Sequence, residues 1–343
     1  MRGTETADPF GRGSVRRRQL LIDTDPGVDD AIALLVAAAS PEVELLAVTT
    51  VFGNVPVQQT TENALRILAL AGADDIPVAA GAQRPLVHPQ PHRAARVHGA
   101  NGLGGVELPL AVRSAEATPA VRFLAELLHG SSLPVTVCSI GPLTNIALLL
   151  GTDPGAAARI ERLVVMGGEY GSGDVEPAAE FNVWSDPEAA QRVLRSGLPI
   201  TVVGLDVTRA TAMNAAAIAR IGASGPVGSA AAEMLAHHLD HYMRVQGGRG
   251  VVIHDALAVL EAVIPGVLGT VARKVTVDCG HGPGRGRTWV DRRTGPAPGL
   301  QDDAQSAGGA VPRQGVPVQV ADTVDLPRAL TEIEARLRSY GAR

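Results

Sequence analysis

Short apolar segments rich in β-branched residues alternate along the chain with longer segments whose apolar positions recur at helical spacing. The short segments are typical of buried strands, and the longer ones are typical of helices packed on a sheet. The predicted strands are Gln19 to Asp23, Glu44 to Thr50, Pro134 to Ile140, Arg162 to Met166, Pro199 to Leu205 and Val271 to Val277. The predicted helices are Val28 to Ala39, Val55 to Ala71, Thr118 to His129, Leu143 to Leu150, Pro187 to Ser196, Ser229 to Val245, Asp255 to Val263 and Pro327 to Tyr340.

This alternation predicts an α/β fold with a mostly parallel, mixed, Rossmann-like central sheet flanked by helices. In such sheets, ligands bind beyond the carboxyl ends of the strands, so candidate functional residues are sought directly after each strand. Residues 1–18 form an Arg- and Gly-rich arm that we expect to be disordered, and residues 19–343 are predicted to form a single domain. The Gly- and Pro-rich segment Arg292 to Pro317 predicts a long surface loop.

The composition narrows the class of ligand. Hydrophobic residues make up 45% of the 343 residues and the formal net charge is −5, which suits a globular protein with a large core. No basic stripe with interleaved aromatic residues is present, so we expect no nucleic-acid partner. No apolar run reaches the length of a membrane span, and the N-terminal arm lacks the apolar centre of a signal peptide. We therefore expect a cytoplasmic protein, with no membrane contact, that acts on a small molecule.

Several common chemistries lack their usual residues. The two cysteines, Cys138 and Cys279, lie in separate apolar runs, which suggests neither a disulfide framework nor a zinc site. Lys274 is the only lysine in the sequence, so Schiff-base and P-loop mechanisms have no conventional candidate. The glycine-rich run Gly280 to Gly286 does not spell a phosphate-binding motif and favours a flexible loop.

Four aspartates lie within eight residues directly after the first predicted strand: Asp23, Asp25, Asp29 and Asp30. Carboxylates held this close together either raise one another's pKa or require a cation. Because every candidate ligand is an oxygen, the sequence favours a hard cation, and calcium somewhat better than magnesium. The alternative is that the segment is only a turn whose last two aspartates favour a helix N-terminus.

A second candidate segment lies far downstream, where an apolar run enters a helix through His254 and Asp255. Taken alone, Asp255 is more simply explained as a helix N-cap, with His254 just before it. The same explanation applies to Asn54, after the second predicted strand, and to Asp186, before Pro187.

Taken together, these segments resemble the inosine-uridine-preferring nucleoside hydrolase family from about Gln19 to Tyr340. The blocks that carry the resemblance are Asp23 to Ala31, Thr49 to Asn54, Val97 to Gly99 with Gly102 to Gly104, Gly141 to Ala147, Val165 to Gly168 with Glu180 to Asn182 and Asp186 to Ala190, and His254 with Asp255. The resemblance implies a calcium-dependent enzyme that hydrolyses the N-glycosidic bond of ribonucleosides to ribose and free base. It also implies a homo-oligomer, a dimer or a tetramer.

The resemblance further implies a role for each matching residue. The implied calcium ligands are Asp25, Asp29, Asp30, Asp255 and the backbone carbonyl of Ile140. The implied substrate contacts are Asn54, His98, Met166, Asp174, Glu180, Phe181, Asn182 and Tyr242. Asp25 would act as general base towards water, and His254, which ordinarily titrates near neutrality, would protonate the leaving base.

One position departs from the family pattern, because Asp174 stands where an asparagine usually contacts the ribose 5′-hydroxyl. The added negative charge predicts a preference for nucleosides over their 5′-monophosphates. Two other functions stay open at this point. One is a phosphatase of the haloacid-dehalogenase type, for which Asp23 and Asp25 would form the metal-binding DxD motif. The other is a non-catalytic homologue that binds calcium or a nucleoside.

Overall fold

The computed structural model describes residues 17–89, 91–246, 250–293 and 317–342. The strands are β1 (Arg18–Thr24), β2 (Val43–Thr50), β3 (Val78–Ala80), β4 (Val135–Ser139), β5 (Ile160–Met166), β6 (Ile200–Val203), β7 (Ala212–Met213), β8 (Val251–Val252), β9 (Leu268–Arg273), β10 (Val275–Val277), β11 (Thr288–Val290) and β12 (Val318–Val324). The helices are α1 (Val28–Ala38), α2 (Val57–Leu70), α3 (Ala95–His98), α4 (Ala120–Gly130), α5 (Thr144–Thr152), α6 (Pro154–Ala157), α7 (Phe181–Ser185), α8 (Pro187–Leu194), α9 (Leu205–Thr208), α10 (Ala215–Gly222), α11 (Pro226–Gln246), α12 (His254–Val263) and α13 (Leu326–Ser339). A 3₁₀ turn, Tyr340–Ala342, follows the last helix.

The central sheet has eight strands in the order β3-β2-β1-β4-β5-β6-β12-β9. All of its pairings are parallel except that of β12 with the edge strand β9, which is antiparallel. Two small antiparallel ribbons, β7 with β8 and β10 with β11, lie outside it. The predicted mostly parallel, mixed sheet flanked by helices is therefore confirmed, and each predicted helix has a counterpart whose ends differ by a few residues.

Two apolar cores cover the two faces of the sheet, and β1 contributes to both. Leu20 and Ile22 belong to the core that also contains α1, α11, α12 and α13. Leu21 points the other way, into the core formed with α4, α5 and α8. Because successive side chains of a strand point to opposite faces, a central strand covered on both sides has a continuous apolar sequence.

The sequence prediction was wrong at the far edge of the sheet. The predicted strand Val271 to Val277 is divided at Lys274: β9 joins the central sheet, whereas β10 pairs with β11 in a separate ribbon. The strands β3 and β12 were not predicted. Most of the predicted loop Arg292 to Pro317 lies outside the described residues.

At the N-terminus, β1 begins at Arg18, one residue inside the predicted arm. The rest of the arm, up to residue 16, lies outside the described residues, and the single domain stays a prediction. None of the helices in the described ranges combines the length and apolar character needed to cross a membrane.

The carboxyl ends of the central strands lie level with one another, which creates one edge where their following segments meet. Asp23 near the end of β1 is in register with Thr49 of β2 and Ser139 of β4. The parallel strand β5 ends beyond β4 at Met166. Residues that follow these strands are therefore brought together at this edge.

Candidate active site

A cavity of about 770 Å³ lies beyond the carboxyl ends of the strands, and it gathers most of the residues expected to act. The sequence-predicted residues in its lining are Asp25, Asp29, Asn54, His98, Ile140, Met166, Asp174, Glu180, Phe181, Asn182, His254 and Asp255. Asp30 lies behind this lining and is fully buried. The backbone of Tyr242 belongs to α11, but its side chain lies outside the described part of the chain.

Three carboxylates meet although two helices far apart in the sequence supply them. Asp29 and Asp30 lie in the first turn of α1, and Asp255 lies in the first turn of α12. Because α1 packs against α12, an oxygen of each side chain lies within 4.8 Å of the others. We call these three side chains the acidic trio. Asp255 therefore lies beside the N-terminal acids, as the family resemblance implied.

Asp25 lies beside the trio, and its two carboxylate oxygens differ in their hydrogen bonding. Its Oδ2 accepts a hydrogen bond from the backbone N–H of Asn54 at 2.7 Å. Its Oδ1 is buried and has no hydrogen-bond partner among the described residues. A β-carbon on Gly141 would lie 2.6 Å from this oxygen, and one on Gly53 would overlap Oδ2, so glycine is required at both positions for the carboxylate to fit.

Asp30 has the opposite environment, because hydrogen-bond donors surround it. Its Oδ1 accepts from the Thr24 hydroxyl at 2.6 Å and the Asp25 N–H at 3.2 Å. Its Oδ2 accepts from the Gly27 N–H at 3.0 Å and the Asn54 side-chain amide at 3.1 Å. The bond to Gly27 also closes the start of α1, so the interpretation of Asp30 as a helix-start residue is correct in part. The Asp30 side chain therefore stabilises the start of α1 and also contributes its carboxylate to the trio.

The remaining aspartate of the segment, Asp23, is held as a structural residue. It accepts hydrogen bonds from Thr49 Oγ1 at 2.7 Å, Asn145 Nδ2 at 2.8 Å and Ser139 Oγ at 3.3 Å. Burial raises its pKa to about 6, and these donors oppose the rise. Asp23 ties β1 to its neighbours and does not line the cavity.

Burial and mutual repulsion make the ionised acids unfavourable without a cation. Burial and then the charge of Asp30 raise the pKa of Asp29 to about 7. The same causes raise the pKa of Asp25 well above its ordinary value, and burial followed by Asp29 does so for Asp255. His98 Nδ1 lies 3.9 Å from Asp29, but this nitrogen accepts the Val28 N–H at 3.1 Å and so donates no hydrogen to that acid.

The opposite wall of the cavity is built around the start of α7. Glu180 caps this helix: its carboxylate accepts from the N–H groups of Asn182, Val183 and Gly168 at 2.7–3.0 Å. Burial and then the charge of Asp174 raise the pKa of Glu180 to about 8. Asn182 Nδ2 donates to the carbonyl of Ile140 at 3.0 Å, which links this wall to the end of β4.

Residues 20–331 match the family model described as inosine-uridine preferring nucleoside hydrolase. The chain belongs to this family. It is therefore an N-glycosyl hydrolase that acts on ribonucleosides, as the sequence predicted. The match covers the downstream blocks that a haloacid-dehalogenase-type phosphatase leaves unexplained, so that alternative is set aside.

Relatives of the nucleoside hydrolase are similar over most of their length. The pyrimidine-specific ribonucleoside hydrolase RihA of Salmonella agona is 43% identical over 274 residues, 79% of this chain and 88% of that protein. A solved plant nucleoside hydrolase has a TM-score of 0.84 and 31% identity, covering 94% of this chain and 99% of its own. The purine-preferring ribonucleoside hydrolase from Gardnerella vaginalis has a TM-score of 0.83 and 32% identity, with the same coverage.

In this nucleoside hydrolase, His254 lies at the start of α12, and its protonation differs from the sequence expectation. Its Nδ1 is 2.7 Å from the hydroxyl of Thr208 in α9. Burial, followed by the positive charge of Arg209, lowers the pKa of His254 to about 4. The imidazole is therefore neutral at pH 7, and the expectation that it titrates near neutrality was wrong.

The sequence offered a helix N-cap role for three residues of the nucleoside hydrolase, and the structure supports that role for one of them. Asp186 caps α8 by accepting the Ala189 N–H at 3.1 Å, so the local explanation is correct there. It is wrong for Asn54 and Asp255, because Pro56 and Ile253 hold those cap positions. The side chain of Asn54 instead donates to the Asp25 carbonyl and to Asp30.

The sequence did not predict part of the nucleoside hydrolase cavity. His92, Arg93, Trp184 and His238 also line it. The rings of His92 and Trp184 stack with centroids 3.5 Å apart, and those of His98 and His238 lie 4.8 Å apart. Trp184 lies two residues after the Glu180 to Asn182 block, and this proximity was the one signal that could have drawn attention to it.

Proposed function

We propose that this chain is a calcium-dependent hydrolase that transfers the ribosyl group of ribonucleosides to water, releasing ribose and free base. Asp25 is the general base, and His254 assists the departing base. Asn54, Glu180 and Asn182 contact the ribose, and His98, Met166 and Phe181 line the pocket. Asp174 lies at the rim. Tyr242 stays a proposed base contact on α11.

The observation that carries the proposal is the buried Oδ1 atom of Asp25, which has no hydrogen-bond partner among the described residues, beside the acidic trio. An ionised carboxylate that is buried without donors is strongly destabilised. A cation bound by Asp25, the trio and the carbonyl of Ile140 removes that cost. Oxygen ligands in this number suit calcium. When bound, calcium lowers the pKa of a nearby water and attracts the ribose hydroxyls.

Asp25 performs the proton transfer that the reaction requires. The oxygen of a water forms a bond to C1′ while the bond from C1′ to the base nitrogen breaks. One proton of this water passes to the Asp25 carboxylate, and the bonding electron pair leaves with the base, which takes up a proton from solvent as Asp25 releases its own. Because a single water attacks opposite the leaving base, the configuration at C1′ inverts.

The walls of the cavity stabilise the sugar as positive charge develops at C1′. With the cation bound, the ionised carboxylates of Asp25 and the trio place negative charge beside the cavity, which favours an oxocarbenium-like ribosyl group. Glu180 is held by three backbone N–H groups, so it can accept a hydrogen bond from a ribose hydroxyl without rearrangement. Such preorganised contacts contribute to rate when they strengthen towards the transition state.

His254 assists the base as a neutral hydrogen-bond donor. A ring with a pKa of about 4 carries one hydrogen at pH 7, on either Nδ1 or Nε2. Donation of this N–H to the base stabilises the negative charge that accumulates there when the electron pair leaves. Since activated leaving groups carry that charge unaided, the contribution of His254 depends on the leaving group.

The deciding experiment measures released reducing sugar from uridine, cytidine, inosine and adenosine, with calcium and with a chelator. We expect turnover of at least one nucleoside in calcium and its loss in the chelator. Nucleoside binding without sugar release would instead identify a non-catalytic homologue. The panel also establishes the base preference, for which the named relatives differ. Cytoplasmic location and a dimeric or tetrameric state stay proposals, and light scattering tests the second.

A further inference from the structure

Thr208 is a polar residue that contacts His254 from outside the cavity lining. It is the last residue of α9 and is fully buried, and it does not belong to the cavity lining. Its Oγ1 lies 2.7 Å from His254 Nδ1, which is a short and well-formed hydrogen bond. It lies outside the sequence blocks that carry the family resemblance, and neither composition nor periodicity marks it in the sequence.

The two residues are held together by the backbone around them. Three residues after Thr208, Thr211 accepts the Ile253 N–H at 3.4 Å through its carbonyl. The strands that follow and precede these positions, β7 and β8, pair antiparallel with Ala212 opposite Val252. Thr208 and His254 therefore lie on adjoining ends of one paired segment, which limits their relative movement.

The direction of the hydrogen bond follows from the needs of the hydroxyl. A threonine hydroxyl has one hydrogen, and a buried hydrogen without an acceptor is costly. Among the hydrogen bonds of the described residues, the ring of His254 is the partner that Thr208 Oγ1 has. If Nδ1 donated to Thr208, the hydroxyl hydrogen would lack an acceptor there. Donation from Oγ1 to Nδ1 leaves both groups satisfied.

We propose that Thr208 is a positioning residue for nucleoside hydrolysis, whose hydroxyl donates to Nδ1 of His254 and so fixes the ring hydrogen on Nε2. With its hydrogen on Nε2, the ring, which lines the cavity, can act as a donor to the departing base, and the bond at Nδ1 limits rotation of the ring. Without the hydroxyl, the hydrogen can move to Nδ1, which presents a lone pair to a base that needs a donor. This inference rests on the proposed role of His254.

Kinetics of four proteins on two substrates test the proposal: wild type, Thr208→Val, Thr208→Ser and His254→Ala, each with calcium, on uridine and p-nitrophenyl riboside. Valine keeps the shape and removes the hydroxyl, whereas serine keeps the hydroxyl. For Thr208→Val we expect kcat/KM on uridine to fall about 10- to 100-fold, by analogy with the losses typical for hydrogen-bond partners that orient metal-ligating histidines. The activated riboside should change by less than about 3-fold, because it needs little help at the leaving group. Thr208→Ser should retain most activity on both substrates.

The outcomes separate this inference from the function on which it rests. Equal losses on both substrates in Thr208→Val, or no loss, would overturn the role of Thr208. If His254→Ala itself shows equal losses on both, the proposed role of His254 fails first. A selective loss in His254→Ala without one in Thr208→Val overturns Thr208 alone. In a fifth protein that combines Thr208→Val with His254→Ala, we expect no loss beyond that of His254→Ala alone, because both changes remove the same hydrogen bond to the base.

A spectroscopic measurement keeps the proposal testable if Thr208→Val fails to fold. Wild-type protein labelled with ¹⁵N-histidine is compared with His254→Ala, which assigns the two ring nitrogens of His254. We expect a protonated Nε2 and an unprotonated Nδ1. A hydrogen on Nδ1 instead would overturn the proposal.

Discussion

The helix α12 carries a buried acidic residue near each end, and the two differ in their surroundings. Asp255 and Glu261 are each 3% exposed. Glu261 accepts backbone N–H groups from Gly266, Val267 and Leu268 and pairs with Arg162 at 2.5 Å. Asp255 instead faces other acids, whose charges raise its pKa further. We infer that a buried acid with donors from the protein stabilises the fold, whereas a buried acid surrounded by other acids favours a bound cation.

We expect the largest loss of activity from substitution of Asp25, whose Oδ1 has no hydrogen-bond partner among the described residues. Asp25→Asn should lower kcat on a nucleoside by at least about 10³-fold, because the amide cannot accept the proton of water. The fold should persist, since asparagine relieves a buried charge and can still accept the N–H of Asn54. Steady-state kinetics and thermal unfolding measure the two effects, and wild-type turnover in a folded Asp25→Asn protein would refute the mechanism.

The two ends of α12 can be compared directly through calcium binding. Calcium at 100 times its dissociation constant should stabilise the wild type by about 2.7 kcal/mol, since the unfolded chain lacks the site. Asp255→Asn should lose this stabilisation. Glu261→Gln, the matched control, should lose about 1–3 kcal/mol with or without calcium, because it removes the partner of Arg162, and should keep the calcium effect. Thermal unfolding measures all three, and equal calcium responses in both variants would contradict the comparison.

The pH dependence of stability gives a second test of the difference between Asp255 and Glu261. A carboxyl group whose pKa is raised on folding binds more protons in the folded state, so its stabilisation is present at low pH and is lost as pH rises through the folded value. For Asp29 this interval runs from 3.8 to about 7. In a chelator, the unfolding midpoint should therefore contain a component that falls across this interval, and saturating calcium should remove it. Glu261→Gln should show the same pH response, and Asp255→Asn a weaker one.

The smallest effect is expected at Asp174, which is exposed at the rim of the cavity. Solvent screens its charge, so Asp174→Asn should raise kcat/KM for uridine 5′-monophosphate by only about 2- to 10-fold relative to uridine. The measured quantity is the ratio of the two rates in each protein. Equal rates on the two substrates in the wild type would show that Asp174 does not disfavour the 5′-phosphate.

Much of the fold and most of the cavity were predictable because they depend on local patterns. The apolar run of β1 and the spacing of Asp25, Asp29 and Asp30 place three acids after a buried strand. That Asp255 joins them was implied by the family resemblance, since no local pattern reveals that α1 packs on α12.

The unpredicted parts depend on contacts between distant segments. β9 and β10 form one apolar run, and only the pairing of β9 with β12 shows that the run divides between two sheets. In the sequence, nothing distinguishes His238 from a structural histidine of a helix. Its place in the cavity follows from the packing of α11 beside His98. The low pKa of His254 also arises from the tertiary fold, which buries the ring near Arg209.

Most of the chain lies between Asp30 and Asp255, so the acidic trio is assembled from both ends of the polypeptide. During synthesis the first two acids emerge long before the third. A nascent chain that ends before α12 has an incomplete trio, so the full set of acids forms only when α12 docks on α1. Under the proposed function, binding of the cation is therefore a late event in the maturation of the enzyme.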